Sequence, residues 1–561
     1  MQSVTNPHDE EDFARVTFVS KPSGTRSATQ ETQLDEAERY VLLSQPVAEL
    51  RAVAVRGAPV LSRARVVLIS STQQGGGVAE MLHQIVPLCL ELKVDVKWAI
   101  IVPREDIAAQ FWNLTGRLHR ALHGGDDTPV FSDTDAVLFR KVGEAAAVNL
   151  LKILGPAPEN IEDCFIVHDP QPAGMLSLLK MHGLCTWRCH IGSACGGRSP
   201  SAAAAWKFLN PSLVHAAAAV FSVRSYIPLA LKDRAFIVAP GISPLSNKNK
   251  ELPLSDVIGT LIKSGTIEAP LDSARARCGA IDPDYKAQTS FYGGKARGWV
   301  LGARGRDEEE GGPSPLPVST SGCEITTAAP TGEVSASLPP PPSATVLSPT
   351  SSQYPLCSIG RCVTHALTAG RSSLLTGNSY AAPLLFRPCI VQVSRFDSLK
   401  GFEPLLRGFA LLKTERQAWA LRALGGDVTR ATMARRKRLL CNACLILCGP
   451  DPSGVADDTS ASVCLESLCA VYDSLPTEVQ EDVFIARLPM VNAEENSLIV
   501  NAIQRSAMVI VQNSKQEGFG LTIAEARYKR QPVVGTMAEG IKEQCTNGVD
   551  AILVEVSDCL S

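Results

Sequence analysis

The sequence predicts an α/β protein built from two doubly wound, parallel-sheet domains. Three observations carry this reading. Short β-branched apolar runs alternate with amphipathic helical stretches in two separate blocks of the chain. Each block contains a strand, a glycine-bearing turn and a helix start, an arrangement that turns free backbone N–H groups toward one pocket. At 561 residues the chain is also too long for one core to serve.

The elements follow in order. Residues 1–60 are polar at first and then helical around Leu34 to Val55, and read as an N-terminal arm packed on the first domain. That domain spans 61–255. Arg65-Val-Val-Leu-Ile-Ser70 suits a fully buried parallel strand. After Gly75-Gly76-Gly77, a helix presents Val78, Met81, Leu82, Ile85, Cys89 and Leu92 at the spacing of one buried face, with a kink expected at Pro87. Val94 to Val102 and Cys164-Phe-Ile-Val-His168 are further strands. Residues 256–388 lose periodicity, and 311–353 are dominated by Pro, Ser, Thr and Gly. That composition buries too little apolar surface to offset its ordering entropy, so a largely disordered insertion is expected there. Order resumes at 389–561 with strands at Cys389–Arg395, Leu445–Cys448, Val483–Leu488, Met508–Gln512, Pro532–Gly535 and Ala551–Val554. A doubly wound domain ordinarily adds a closing helix, so this second domain reads as truncated.

Composition excludes several functional classes. Hydrophobic residues make up 45% and charged residues 20%, with a net charge of −3. That balance gives no reason to expect nucleic acid or an anionic membrane as partner. No apolar run is long enough to span a bilayer, and the start is polar and acidic, unlike a signal peptide. A cytoplasmic location is expected, which leaves the Asn113-Leu-Thr115 sequon idle. The 17 cysteines are scattered among apolar residues and read as buried hydrophobes. Cys441, Cys444 and Cys448, or Cys185, Cys189 and Cys195, are the only groupings reminiscent of a metal site. Strand alternation would split the first set between two faces, and no metal is expected. The basic run Arg435-Arg-Lys-Arg438 reads as a solvated helix face.

The chemistry concentrates in four places. Glu517-Gly-Phe-Gly-Leu-Thr-Ile-Ala-Glu525 puts two carboxylates around a glycine turn and a helix N-terminus, suited to a sugar phosphate or nucleotide sugar. Arg395 and Lys400 follow the end of a strand, where a guanidinium and an ammonium can hold a diphosphate. An ion pair with Asp397 or Glu403 is the competing explanation for them. Gly76 and Gly77 allow close backbone approach to an anion. His168 ends a strand with a ring able to hydrogen-bond into an inter-domain crevice, although a lone histidine is more often structural.

Together these blocks resemble a known family. Thr72-Gln-Gln-Gly-Gly-Gly-Val-Ala-Glu-Met81, His168-Asp-Pro-Gln-Pro-Ala173, Trp187-Arg-Cys-His190, Pro244-Leu-Ser-Asn-Lys-Asn249, Val393-Ser-Arg-Phe-Asp397, Asn501-Ala-Ile-Gln504 and Glu517-Gly-Phe-Gly-Leu-Thr522 are similar to the trehalose synthase and trehalose phosphorylase branch of the retaining glycosyltransferases. The resemblance implies a GT-B architecture, two Rossmann-like domains facing a cleft. It implies that Arg395 and Lys400 stabilise the departing phosphate and that Glu517 touches the transferred glucose. Glu525 would hold the ribose of a nucleotide donor, while Phe519, Gly520 and Leu521 contact donor phosphate or sugar. His168, Gly76 and Gly77 would complete the reacting face, and Asp169, Arg188 and His190 would face the acceptor. The partners it implies are a small-molecule sugar donor and acceptor, with no cofactor and no metal; a homodimer is left open. The expected reaction joins a nucleotide-activated glucose to glucose, giving trehalose. A phosphorylase using glucose 1-phosphate and a non-catalytic sugar-phosphate sensor are the alternatives. Gly192, Ser243 and Glu539 depart from the family pattern.

Overall fold

A computed structural model describes residues 13–20, 32–38, 41–73, 76–124, 129–193, 199–264, 290–292, 388–415, 430–452, 461–480, 482–490 and 492–555. They contain two seven-stranded sheets. The first comprises β1 (Ala14–Phe18), β2 (Ala64–Ser70), β3 (Asp95–Pro103), β4 (Glu162–His168), β5 (Gly183–Cys189), β6 (Ala218–Phe221) and β7 (Ala235–Ile237). Its order is β1-β3-β2-β4-β5-β6-β7, parallel except for β1. The second comprises β8 (Ser290–Tyr292), β9 (Cys389–Val393), β10 (Cys444–Pro450), β11 (Val483–Leu488), β12 (Val509–Gln512), β13 (Val533–Thr536) and β14 (Ile552–Val554). Its order is β14-β13-β12-β9-β10-β11-β8, parallel except for β8. The predicted α/β, doubly wound, two-sheet class is therefore the observed one.

Each sheet has apolar side chains on both faces, as helices on both sides require. In β2, Val67 and Ile69 face one core while Leu68 faces the other. In β10, Cys444, Ile446 and Cys448 face one core while Leu445 and Leu447 face the other. The strand order reverses between β2 and β4 in the first sheet and between β9 and β12 in the second. Loops leaving the C-terminal ends of strands diverge at such a point and open a crevice. The segment after β2 carries Gly76 and Gly77, the latter the first residue of the next helix, and His168 ends β4; the loops after β9 and β12 carry Arg395, Lys400 and Glu517. Topology alone thus selects most of the residues singled out from the sequence.

Several sequence expectations need correction. Residues 1–60 are not wholly an arm: Ala14–Phe18 pairs antiparallel with β3 and buries Ala14 and Val16 in the first core. The helix Leu254–Lys263 runs beyond residue 255, because Val257 and Leu261 are fully buried in a core of the second sheet. Ser290–Tyr292 adds an edge strand to that sheet. The remainder of the expected disordered insertion lies outside the described residues. The helix Gly77–Glu91 continues through Pro87. Cys444 and Cys448 share one face of β10 rather than being split, and Cys441 lies on the preceding helix, Arg430–Asn442. Cys185 and Cys189 are buried in the first core, whereas Cys195 lies outside the described residues. Among the described residues no group of three His, Cys, Asp or Glu side chains is placed to hold a metal ion, and no helix is long and apolar enough to cross a membrane.

One buried ion pair stands beneath the first sheet. Arg65 donates through Nε and Nη2 to the two oxygens of Asp163 at 2.6 and 2.9 Å, and also to the carbonyls of Leu154 and Gly155. Both side chains are under 8% exposed. Removing one partner leaves a buried charge uncompensated, so Asp163→Ala is expected to cost about 3–5 kcal/mol of stability. Urea denaturation at pH 7.5 measures it, and a loss under about 1 kcal/mol would contradict this account.

Candidate active site

The cleft begins with the turn after β12. Gln512, Ser514 and Lys400 all donate to Oε2 of Glu517, at 3.1, 3.0 and 2.8 Å. Oε1 of the same carboxylate accepts no hydrogen bond from any described residue. Burial raises the Glu517 pKa, but Lys400 and Ser514 more than offset it, leaving an anion below the usual carboxylate range. Lys400 is delivered by the short Ser398–Lys400 turn, which Asp397 caps by accepting from Leu399 N at 2.8 Å. Asp397 is thus a loop cap as well as a neighbour of Arg395, whose charge helps lower its pKa against the burial that raises it. The predicted alternative, an Asp397–Arg395 interaction, coexists with the placement of both in the cleft.

The glycines here are required by close approach. Gly518 packs so tightly on the carbonyl of His190 that a Cβ there would overlap its oxygen, and Gly520 has φ +90°, which side chains rarely adopt. Gly192 stands where the resembled family carries an acid; a Cβ there would meet the Glu517 carbonyl oxygen at 2.9 Å. Tyr226 donates to that same oxygen at 2.5 Å, and Ser225 donates to Glu539 at 3.3 Å. These contacts join the two sheets' loops, and all described residues belong to one compact unit.

The first sheet contributes a pair of histidines. His168 Nδ1 and His190 Nε2 lie 2.9 Å apart, with ring planes within 9°. Burial pushes His168 down to about 3, with Arg188 adding to the effect, and holds His190 well below its ordinary value. Both rings are neutral at pH 7. Asp169 has φ +63°, a conformation worth of order 1–3 kcal/mol of strain. Among the bonds that hold it, its N donates to the Arg188 carbonyl, its carbonyl accepts from Trp187 Nε1, and its Oδ1 accepts from His190 N at 2.7 Å. Asp169 and His190 line the cleft, whereas His168 lines a smaller adjoining cavity. Arg188 lines neither; its guanidinium reaches the Val238 carbonyl at 3.4 Å.

These residues surround a cavity of about 310 Å³. Gly76, Gly77, Arg395, Lys400, Glu517 and the Phe519–Leu521 turn all line it. Gly76 precedes the helix Gly77–Glu91, and Gly77 lies 3.5 Å (Cβ position) from the Leu521 side chain, so two helix N-termini meet across the cleft. Their N–H groups and dipoles favour an anion between them. Glu525 lies deeper, beside a second cavity of about 260 Å³. Gln504 donates to its Oε2 at 2.9 Å and Lys248 approaches Oε1 at 3.1 Å. Lys248 also holds Glu80 at 2.8 Å, bridging the first sheet's helix to the second domain. Asn501 and Arg505 bind the carbonyls of Asn247, Asn249 and Lys250 and so fix this connecting segment.

Three cleft residues were not foreseen. His119 and His123, four apart near the end of the helix Glu105–Leu122, both line the main cavity. Burial lowers both, His123 to about 4, and the nearby Lys400 contributes there. Two histidines at i, i+4 place their rings on one face, the only local signal available. Lys248 is the third; it lies in the Pro244–Asn249 block, but that block alone assigns it no role because its partners are distant in sequence.

Residues 68–228 match the family model described as trehalose synthase, N-terminal domain, and residues 490–559 match glycosyl transferases group 1. The trehalose synthase of Thermococcus litoralis is 24% identical over 501 residues, covering 88% of this chain and 79% of its own. That of Rubrobacter xylanophilus is 30% identical over 285 residues, 49% of this chain and 63% of its own. A trehalose phosphorylase of Pleurotus pulmonarius is 27% identical over 173 residues, 31% of this chain and 20% of its own. A solved trehalose-6-phosphate synthase shares the fold with TM-score 0.50 at 12% identity, over 88% of this chain and 89% of that one. The chain is a glycosyltransferase of GT-B fold. Within that class its sequence is similar to trehalose synthases and trehalose phosphorylases.

Proposed function

We propose that the protein transfers glucose, with retention, from a nucleotide-activated donor to glucose and so forms trehalose. The observation that carries this reading is the meeting of Arg395, the Lys400–Glu517 pair and two helix N-termini in one cavity with His190, whose neutral ring stacks on that of His168. Breaking a glycosyl–phosphate bond passes through an oxocarbenium-like state while negative charge grows on the leaving oxygens. Preorganised cations and N–H donors stabilise that charge more than they stabilise the ground state. Arg395, Lys400 and the Gly76–Gly77 and Phe519–Leu521 amides are the groups placed to do so. Glu517 Oε1 is available to a hydroxyl of the transferred sugar. Neutral histidines on the facing wall add no competing cation and can hydrogen-bond sugar hydroxyls.

Proton NMR of the purified protein with glucose and a panel of nucleotide-glucoses, with and without an Arg395→Ala control, tests the proposal. A trehalose signal from a nucleotide donor that disappears in the control is the expected outcome. Failure of every donor with folded protein would overturn it.

One observation favours the phosphorylase reading, in which glucose 1-phosphate is the donor. Both oxygens of Glu525 already have partners, Gln504 and Lys248, so a ribose must share this carboxylate with an ammonium. Glu525→Gln separates the readings. A nucleotide donor that uses Glu525 should lose affinity, with its KM raised about tenfold for one charge-assisted hydrogen bond. The KM for glucose 1-phosphate should stay within twofold. Steady-state kinetics with both donors decides between them.

A further inference from the structure

The turn that carries Glu517 is gripped from the first sheet's side by contacts that the proposed chemistry does not use. Tyr226 ends the short turn Arg224–Tyr226 after β6, and its ring is packed in the first core, 1% exposed. Its hydroxyl crosses to the second sheet's loop and donates to the Glu517 carbonyl at 2.5 Å. Burial raises the pKa of this phenol, with Glu517 adding to the effect, so the group stays a donor at neutral pH. Glycines let the backbones meet beside this bond. A Cβ at Gly192 would stand 2.9 Å from the Glu517 carbonyl oxygen, and one at Gly518 would overlap the His190 carbonyl. Across the turn, a Cβ at Gly540 would fall 2.5 Å from that same Glu517 oxygen, so the peptide is enclosed on both sides. Tyr226 does not line the main cavity, whereas Glu517, Phe519, Gly520 and Leu521 do.

These contacts fix a peptide rather than a side chain. A carbonyl held by a hydroxyl sets the plane of the Glu517–Gly518 peptide, and with it the direction of the Glu517 carboxylate and of the amides that follow. Reacting groups are sensitive to such settings, since a misplacement of about 1 Å can cost about 10²-fold in rate. The tie also spans the cleft, because Tyr226 belongs to the first sheet's loops and Glu517 to the second's, 291 residues away in sequence. It exists only while the two are drawn together, as in a closure that completes a site. We propose that Tyr226 is a positioning residue: its hydroxyl, seated by Gly192 and Gly518, latches the first sheet's loops onto the Glu517 turn and so sets Glu517 and the Phe519–Leu521 amides for reaction. Without the hydroxyl the ring keeps its place in the core and the Glu517 carbonyl loses this donor. The turn then loosens while the cavity keeps its lining. The kinetic part of the proposal rests on the transfer reading above; the latch itself does not.

Hydrogen–deuterium exchange and steady-state kinetics on the full chain test it together, with wild type, Tyr226→Phe, Gly192→Ala and, as a matched control, Tyr472→Phe. Tyr472 donates to the Gln480 carbonyl at 3.1 Å, a comparable hydroxyl bond within the second domain and away from the cavity lining. Thermal melts confirm that each variant folds. Peptides covering Asn513–Leu521 should exchange roughly 3–10-fold faster in Tyr226→Phe, the effect of one neutral hydrogen bond. By the same reasoning kcat should fall roughly 3–10-fold, with the KM of each substrate moving less than about threefold. Gly192→Ala wedges the same seat without touching the hydroxyl and should show the same split. Tyr472→Phe should change neither readout. Unaltered exchange over 513–521 in folded Tyr226→Phe, a normal kcat, a loss confined to KM, or equal losses in Tyr472→Phe would each overturn the proposal. Faster exchange of this turn in Tyr226→Phe, with no product from any donor in the wild type, would sustain the latch while removing the transferase reading.

Discussion

Alanine at Arg395 or at Lys400 is expected to lower kcat by roughly 10²–10³-fold, the scale of losing one preorganised donor to a charge that develops in the transition state. The two substitutions should differ in stability. Lys400 neutralises Glu517, whose carboxylate is buried with Gln512 and Ser514 on the same oxygen. Removing the ammonium leaves a buried anion without its counter-charge, so Lys400→Ala should also destabilise the fold, by up to about 3 kcal/mol. Glu517 should then titrate at a higher pH, because Lys400 is the largest influence lowering it. Adding Glu517→Gln to Lys400→Ala removes the orphaned charge. The double variant should regain most of the stability and none of the activity. Urea melts beside single-turnover kinetics separate the two roles. A double variant as unstable as Lys400→Ala would show that the ion pair is not what holds this turn, and near-normal transfer by either single variant would remove these cations from the chemistry.

The parts of this architecture that were legible are those the local sequence writes down. Arg65–Ser70 and Cys444–Cys448 are runs of branched or apolar residues buried on both faces, and they are strands. Gly518 and Gly520 mark a turn that nothing bulkier could make. What escaped depends on partners far away. In β5, Gly183–Cys189 mixes Thr, Trp and Arg with apolar residues and shows no clean pattern, yet β4 and β6 enclose it. Ala14–Phe18 is a five-residue edge strand defined only by its partner β3. His119 and His123 look like ordinary residues of an amphipathic helix until the second domain's Arg395, Asp397 and Lys400 are brought opposite them. Lys248 has a role only once Glu80 and Glu525 come within reach of one ammonium. Arg188 belongs to a motif block that resembles the family and pairs in register with His168 at the C-terminal ends of β4 and β5, yet its guanidinium reaches the Val238 carbonyl and it does not line the main cavity.

Acidification is expected to unfold the protein before it alters the chemistry of the cleft. Unfolded, His168 and His123 would take up protons near pH 6.5. Folded, they resist until about 3 and about 4. Below pH 6.5 the unfolded state therefore binds more protons, and stability must fall as pH falls. The native state's advantage is complete above 6.5 and is lost progressively down to the folded values. From pH 6.5 to 5 each of these two rings contributes a loss of about 2 kcal/mol. His119 and His190, lowered by the same burial, act in the same direction. The lowered carboxylates Glu517 and Glu525 titrate beneath this window, so the histidines dominate it. Urea unfolding at pH 7.5, 6.5, 5.5 and 5.0 should show the fall, and His168→Gln should flatten it by about 2 kcal/mol across the interval. Because the folded rings stay neutral throughout, kcat per folded molecule should hold nearly constant from pH 7.5 to 5.5. A kcat that instead drops with an apparent pKa near 6.5 while the protein stays folded would mean that a cleft histidine takes up a proton in the native state. It would also mean that burial does not hold the facing wall of the site uncharged.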